Sequence, residues 1–262
     1  MNILWGECTW EDIKRAAQEA YVVVFPVGAI EQHGPMLPVD TDARIAEKAA
    51  VDAARVARDE HGVKVLVLPT LAYGQSCHHM NFAGTISLRF DTYIAAMCDI
   101  MREVVRHGFR KIVFVNGNGG NENAIEVARY RLMEEFAGRG EQVRVYRFPG
   151  WADARFRDRI RRAQEQLGAE PEGQMAIHAA AHETSETLAD RPHLVKRDKM
   201  TRPTLKVDEV PRHAWRTDEI TETGAFGDPS KARADLGEAF WKAWADSIAE
   251  YLADVASESD GQ

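Results

Sequence analysis

Short runs of β-branched and aliphatic residues alternate along this chain with longer stretches in which apolar side chains recur every three or four positions. Residues 21–27, 63–69, 111–115 and 143–148 are brief, rich in Val, Ile and Leu, and bounded by Gly, Pro or Asn, so each predicts a buried strand. Between them, residues 43–59, 91–107 and 123–137 are each long enough for three or more helical turns. Strand–helix alternation of this kind predicts an α/β fold, a mainly parallel sheet with helices on both faces. Ligands in such folds bind beyond the carboxyl ends of the strands. Polar clusters stand at three such ends: Glu31 and His33 after the first run, 73–88 after the second, and 116–121 after the third.

The rest of the pattern is plainer. Residues 155–166, dense in Arg, Gln and Glu, predict a solvated helix. Residues 192–222 carry prolines and no strong period, which predicts a long surface or subunit-contact excursion. The polar tail 257–262 is expected to fray. No internal repeat or low-complexity segment interrupts the chain, so residues 1–262 are expected to form a single domain. An apolar fraction of 45% supports a full core. A net charge of −8 argues against a nucleic-acid partner. Cys8, Cys77 and Cys98 are spaced for neither a disulfide framework nor a CxxC metal site. No leader pattern precedes Trp5, and no apolar run approaches the roughly 20 residues that span a bilayer, so a cytoplasmic protein without membrane contact is expected.

The densest chemistry lies in Glu31-Gln-His-Gly-Pro-Met-Leu-Pro-Val-Asp-Thr-Asp42. In extended backbone, side chains two apart point the same way, so Glu31 and His33 can face one cavity. Asp42 returns from the far side of a proline-braced loop, at the start of a predicted helix. Carboxylates with an imidazole form a ligand set suited to Zn, Mn or Fe. The competing reading makes Asp40 or Asp42 a helix N-cap, Glu31 a solvated loop residue and His33 a hydrogen-bonded loop histidine.

In the loop 73–88, Ser76, His78, His79, Asn81 and Thr85 can orient a polar substrate or support metal ligands; the alternative is a structured turn with exposed histidines. Ser76 lacks the strained Gly-x-Ser-x-Gly setting of a nucleophile, so binding is its expected role, with His79 beside it. Asn116-Gly-Asn-Gly-Gly-Asn121 runs from strand to helix, but lacks GxGxxG spacing and a following Lys-Ser/Thr pair, which argues against a nucleotide site. Its glycines instead let backbone N–H groups approach a substrate oxyanion or a metal-bound water, making Asn118 and Gly119 candidate substrate contacts. His178-Ala-Ala-Ala-His-Glu-Thr-Ser-Glu186 reads as a helix with His178 and His182 on one face. The glutamate of HExxH is missing, so Glu183 is the candidate to complete a metal shell and His178 the candidate proton carrier. A plain amphipathic helix with exposed histidines is the alternative there.

Taken together, Pro26-Val-Gly-Ala-Ile-Glu-Gln-His-Gly-Pro35, Leu37-Pro-Val-Asp-Thr-Asp42, Phe82-Ala-Gly-Thr-Ile-Ser-Leu88, Glu183-Thr-Ser185 and Gly227-Asp-Pro229 resemble the creatininase (creatinine amidohydrolase) family of metal-dependent hydrolases. The resemblance runs from Trp5 to about Leu236. It implies a three-layer α/β/α sandwich, a homo-oligomer (commonly a hexamer), and one or two divalent ions per subunit, Zn or Mn with Fe as an alternative. By position, Glu31 and Asp42 would hold one ion and His33 and Asp42 a second, with Asp42 bridging and Glu183 joining the second. His178 matches a position that handles protons, and Trp151 one that lies near substrate.

One departure stands out. Asn118 occupies the position of a family histidine that ordinarily ligates the first metal, and Gly120 that of a glutamate ligand of creatininase. An amide oxygen is a much weaker zinc ligand than imidazole. Three outcomes follow: a single ion, a substitute ligand from His78, His79 or His182, or altered chemistry. Creatinine itself is then not the expected substrate.

The expected activity is hydrolysis of a small polar, cyclic substrate at an amide C–N bond by a metal-activated water. His178 would pass the proton to the leaving group, and Glu183 would hold the metal or help deprotonate the water. The same machinery could hydrolyse a C–C bond and open an oxidised inositol (keto-inosose) ring. A non-catalytic binding protein of the same fold is the remaining alternative.

Overall fold

Four of the apolar runs become parallel strands in the computed structural model, which describes residues 2–170 and 176–258. They are β1 (Val22–Val27), β2 (Val65–Val67), β3 (Lys111–Asn116) and β4 (Arg144–Arg147), in the order β2-β1-β3-β4. All pairs are parallel, with Val23 opposite Leu66 and Ile112, and Ile112 opposite Val145. Every residue of β1 is buried, as expected of a central strand covered on both faces. β4 differs from its expectation as a buried strand: its four residues are half-buried. It is an edge strand, and its polar side chains turn outward to acids, Tyr146 Oη to Glu258 at 2.6 Å and Arg147 Nε to Glu126 at 2.8 Å.

The helices are α1 (Trp10–Gln18), α2 (Thr41–His61), α3 (Phe90–Arg106), α4 (Glu122–Gly138), α5 (Ala154–Leu167), α6 (Ala181–Asp190), α7 (Thr217–Ile220) and α8 (Ala234–Ser257). They sandwich the sheet in three layers. Because successive strand residues point to opposite faces, Val22, Val24, Val113 and Val115 meet α2 and α8, whereas Val23, Phe25, Ile112 and Phe114 meet α3 and α4. The inner stripe of α2 is alanine (Ala49, Ala50, Ala53, Ala54 and Ala57), so α2 sits close between the sheet and the bulky Phe240, Trp241 and Trp244 of α8. α5 buries Phe156 and Ile160 and exposes Arg157, Arg161 and Arg162, the solvated helix expected for 155–166.

Three features depart from the periodic pattern. α8 carries no clean apolar stripe because it is buried on several sides, from Leu236 and Phe240 to Ala249 and Leu252, which blurs the 3.6-residue period. α1 is a nine-residue helix defined by a capping box between Thr9 and Asp12. The helix expected from His178 begins only at Ala181, because Ala179 takes a left-handed φ of 48° and breaks the backbone between His178 and His182. Of the tail expected to fray, residues 259–262 lie outside the described residues.

What positions the site is the seat of α2. Asp40 makes no capping bond to it and pairs instead with Arg191 at 2.7 Å. The first turn of α2 rests directly on the ends of β1 and β3: a Cβ at Gly28 would lie 2.4 Å from Ala43 Cα, and one at Gly117 would lie 2.2 Å from the Asp42 carbonyl oxygen. Substituting Gly117→Ala is therefore expected to destabilise the fold by about 1–3 kcal/mol through overpacking. Gly119→Ala, where an added Cβ meets nothing within 4 Å, is expected to stay within about 0.5 kcal/mol of the parent. Thermal denaturation of the two variants checks this, and equal melting temperatures would remove the seat from the argument.

Candidate metal centre

Four loops bring the candidate residues to the carboxyl end of the sheet. Glu31 and His33 come from the loop after β1, Asp42 from the first turn of α2, His78 and His79 from a 3-10 turn after β2, and Asn118 from the end of β3. His178 stands just before α6, and Glu183 lies in its first turn. All but His78 are buried. With Ile177, Trp215 and Phe226, all of them except His33 line a cavity of about 230 Å³, and no Arg or Lys lines it among the described residues.

His33 Nδ1 donates to the backbone carbonyl of Glu31 at 2.9 Å, which turns Nε2 toward Asp42 Oδ1 at 2.9 Å and Glu183 Oε1 at 3.8 Å. Burial opposes charge on this imidazole, but the carboxylates of Asp42, Glu183 and Glu31 outweigh it and push its pKa up to about 10. Burial, reinforced by the charge of Asp42, pushes Glu31 up to about 8, and burial raises Asp42 as well. Without a cation, the cluster holds protons in its place. Even so, Asp42 Oδ2 and Glu183 Oε2 are buried without a hydrogen-bond partner, and His33 Nε2 meets only carboxylate oxygens. Such groups are rare because each costs about 1–3 kcal/mol. One ligand atom from each of these three residues lies within 4.8 Å of the others, so the set fits a divalent ion. Glu31, His33 and His178 converge in the same way, as do Glu31, His78 and His79.

Gln32, a residue the sequence pattern did not single out, organises the histidines. Its Oε1 accepts from Gly34 N–H at 3.0 Å and its Nε2 donates to the Gly224 carbonyl at 3.0 Å, which fixes the amide orientation. The second amide hydrogen goes to His79 Nδ1 at 2.8 Å. Thr217 Oγ1 contacts the same nitrogen at 2.8 Å. His79 therefore carries its proton on Nε2, 3.1 Å from Glu31 Oε1, and burial holds the ring neutral with a pKa lowered to about 2. His178 Nε2 donates to the Gln32 carbonyl at 2.8 Å, leaving Nδ1 unprotonated and 3.4 Å from Glu31 Oε1. The Gln32 amide nitrogen, 3.0 Å from His178 Nε2, has both hydrogens committed elsewhere. Burial pushes the His178 pKa well down. The only local clue to Gln32 is its place between two candidate ligands; apart from Gly34, its partners lie 47 to 192 positions away.

A second cavity of about 280 Å³ adjoins the first and shares Asn118, Gly119, Ile177 and Glu183 with it. Trp151 and His182 line this side, their rings 5.4 Å apart. Glu186 is buried here, accepts from Trp244 Nε1 at 2.8 Å, and is pushed up to about 7 by burial. Ser76 lines neither cavity. It lies fully buried beside Asn118, its Oγ 3.2 Å from Asn118 Nδ2. The Gly120 N–H is taken by Asn118 Oδ1 at 2.8 Å and so is not free for an oxyanion.

Comparison with known proteins accords with this geometry. The creatininase family model, described as creatinine amidohydrolase, matches residues 6–252. The mycofactocin precursor peptide peptidase of Mycobacterium tuberculosis (strain CDC 1551 / Oshkosh) is 31% identical over 246 residues, covering 91% of this chain and 87% of that one. The creatinine amidohydrolase of Pseudomonas putida is 31% identical over 149 residues, or 52% of this chain and 55% of that one. A solved structure named "Creatininase Mn" superposes with a TM-score of 0.83 at 26% identity, over 98% of this chain and all (100%) of the other.

An ion that satisfies the orphaned atoms stabilises only the folded chain. Adding Zn or Mn to chelator-stripped protein at 100 times its dissociation constant is expected to contribute about 2.7 kcal/mol, a rise of about 5–10 °C in melting temperature. Asp42→Asn is expected to abolish that rise. A metal-independent melting temperature in the parent would count against the centre.

Proposed function

The chain belongs to the creatininase family, and on that premise we propose that it is a metal-dependent amidohydrolase of a small polar substrate. The observation that carries the reading is the buried cluster of His33, Asp42 and Glu183, in which Asp42 Oδ2 and Glu183 Oε2 have no hydrogen-bond partner. A divalent cation satisfies an imidazole nitrogen and two carboxylate oxygens together, and no Arg or Lys lines the cavity to do so among the described residues. The relatives named above are a peptidase and an amidohydrolase, which favours an amide C–N bond as the target. Zn or Mn suits this mixed nitrogen and oxygen donor set.

A divalent ion held by His33, Asp42 and Glu183 would supply a Lewis acid and would make water nucleophilic near neutral pH. The chain's own groups do the rest. Asp42, with one oxygen on His33 and the other unpartnered, would hold the ion at the strand ends. His178, kept neutral by burial and by the neighbouring charge of His33, is oriented by its Nε2–H bond to the Gln32 carbonyl and presents Nδ1 to receive a proton and return it to the leaving nitrogen. Glu31 orders the opposite wall through His79. Ile177, Trp215 and Phe226 restrict water on the open side. The adjoining cavity with Trp151 and His182 accommodates the part of the substrate beyond the scissile bond, and the cavities of about 230 and 280 Å³ limit that substrate to a small molecule or a short peptide end.

Dialysis against a chelator is expected to bring hydrolysis of a panel of lactams and short peptides to background, and Zn or Mn to restore it. His178→Ala is expected to lower kcat about 10²–10⁴-fold, the range for loss of a positioned acid–base group, with little change in KM. Asp42→Ala is expected to remove activity together with bound metal. Full turnover by the metal-stripped parent would overturn the reading.

A further inference from the structure

The family resemblance implies metal ligands at positions 118 and 120, where this chain has Asn118 and Gly120, and the His78 imidazole lines the same cavity as both. Asn118 turns its amide hydrogens, not its oxygen, toward Glu31. Its Oδ1 is held by the Gly120 N–H at 2.8 Å, and its Nδ2 points hydrogens at Ser76 Oγ, 3.2 Å away, and at Glu31 Oε2, 3.4 Å away. Gly120 has no side chain, and the space beside it is taken: an added Cβ would lie 2.3 Å from the Gln75 backbone carbonyl oxygen, with His78 Cε1 next at 3.2 Å and Asn118 Oδ1 at 3.3 Å.

Of the other histidines, His178 turns its unprotonated Nδ1 toward Glu31 at 3.4 Å and is assigned above to proton transfer, and His79 and His182 are engaged elsewhere. Gln32 and Thr217 occupy Nδ1 of His79, whose Nε2 proton faces Glu31, so this ring orients the carboxylate rather than offering it an electron pair. His182 packs its ring against Trp151 in the adjoining cavity. His78 has no hydrogen bond among the described residues; it stacks on His79 with ring centroids 4.1 Å apart and lies edge-on to Trp215 at 5.3 Å. Its ring lines the first cavity, and a ligand atom from each of Glu31, His78 and His79 lies within 4.8 Å of the others. That spacing is close to the span of two metal–ligand bonds of about 2.0–2.2 Å each.

We propose that His78 supplies the imidazole for a second divalent ion at Glu31, in place of the side chains missing at Asn118 and Gly120, while His79 holds the Glu31 carboxylate in position. The inference rests on the metal-centre reading above and adds a ligand that the changed β3 loop cannot provide. The ligand has moved from the end of β3 to the 3-10 turn after β2, so it arrives from the opposite wall of the same cavity.

Elemental analysis, with zinc titration of chelator-stripped protein, tests this on the full-length parent, His78→Ala, His33→Ala, and His78→Ala combined with Asn118→His. The expected result is about two ions per chain in the parent, about one in His78→Ala, and a return to about two when Asn118→His restores an imidazole from the other wall. His78 is only half-buried, so the metal-free variant should melt with the parent, which separates ligand loss from misfolding. Equal metal content in the parent and His78→Ala overturns the proposal. A single ion that is lost in His33→Ala and kept in His78→Ala also overturns it, while leaving the metal-dependent hydrolase standing. No uptake by the parent overturns both.

Discussion

Buried negative charge with only histidines, and no Arg or Lys among the described residues, to meet it is the constraint around which this molecule is arranged. Glu31, Asp42 and Glu183 lie at the carboxyl end of the sheet in a cavity lined by no Arg or Lys among the described residues. Burying ionised carboxylates without partners costs several kcal/mol each. The elevated pKa values of His33, Glu31 and Asp42 express that cost, since protons are drawn in where positive charge is wanting. The chain carries many arginines, yet their ion pairs are placed elsewhere, as in Arg44 with Asp190 and Arg191 with Asp40. Keeping them out of the cavity preserves its demand for a cation.

The fold makes the concentration of charge tolerable. Asp42 lies in the first turn of α2 and Glu183 in the first turn of α6, where the helix dipoles favour negative charge. α2 reaches the strand ends only because Gly28 and Gly117 leave its backbone room, so the same contact that packs the first layer also delivers the central carboxylate. The alanine stripe of α2 has a matching role, letting α8 close over it and bring Trp244 to Glu186.

The long segment after Pro192 is tied into this arrangement rather than lying over it loosely. It returns at Leu205 and Thr221 as a paired bridge and sends Thr217 inward to His79, while Trp215 walls the cavity against His78. A chain of contacts thus runs from Thr217 through His79 to Glu31. Residues that show little pattern in sequence are in this way part of the wall around the metal centre.

Much of this was legible before any coordinates. The strand runs, the helices between them and the polar loops at the strand ends follow from periodicities of two and 3.6, which neighbouring residues carry between themselves. Glu31, His33 and Asp42 could be read as one group because they share a short loop, and the structure does bring them together. What sequence alone could not decide depended on contacts across the chain. α8, buried on several sides, has no clean stripe to read. His178 leaves its expected helix because Ala179 turns left-handed. Gln32 meets His178 across 146 positions and Gly224 across 192, and Thr217 meets His79 across 138. The sequence by itself determined the layers and which loops carry the chemistry, since both rest on local spacing. Only the tertiary structure decided which nitrogen of each histidine faces the cavity, which amide gives hydrogens rather than electrons, and which of the two adjoining cavities each ring enters, because those depend on partners that no local pattern records.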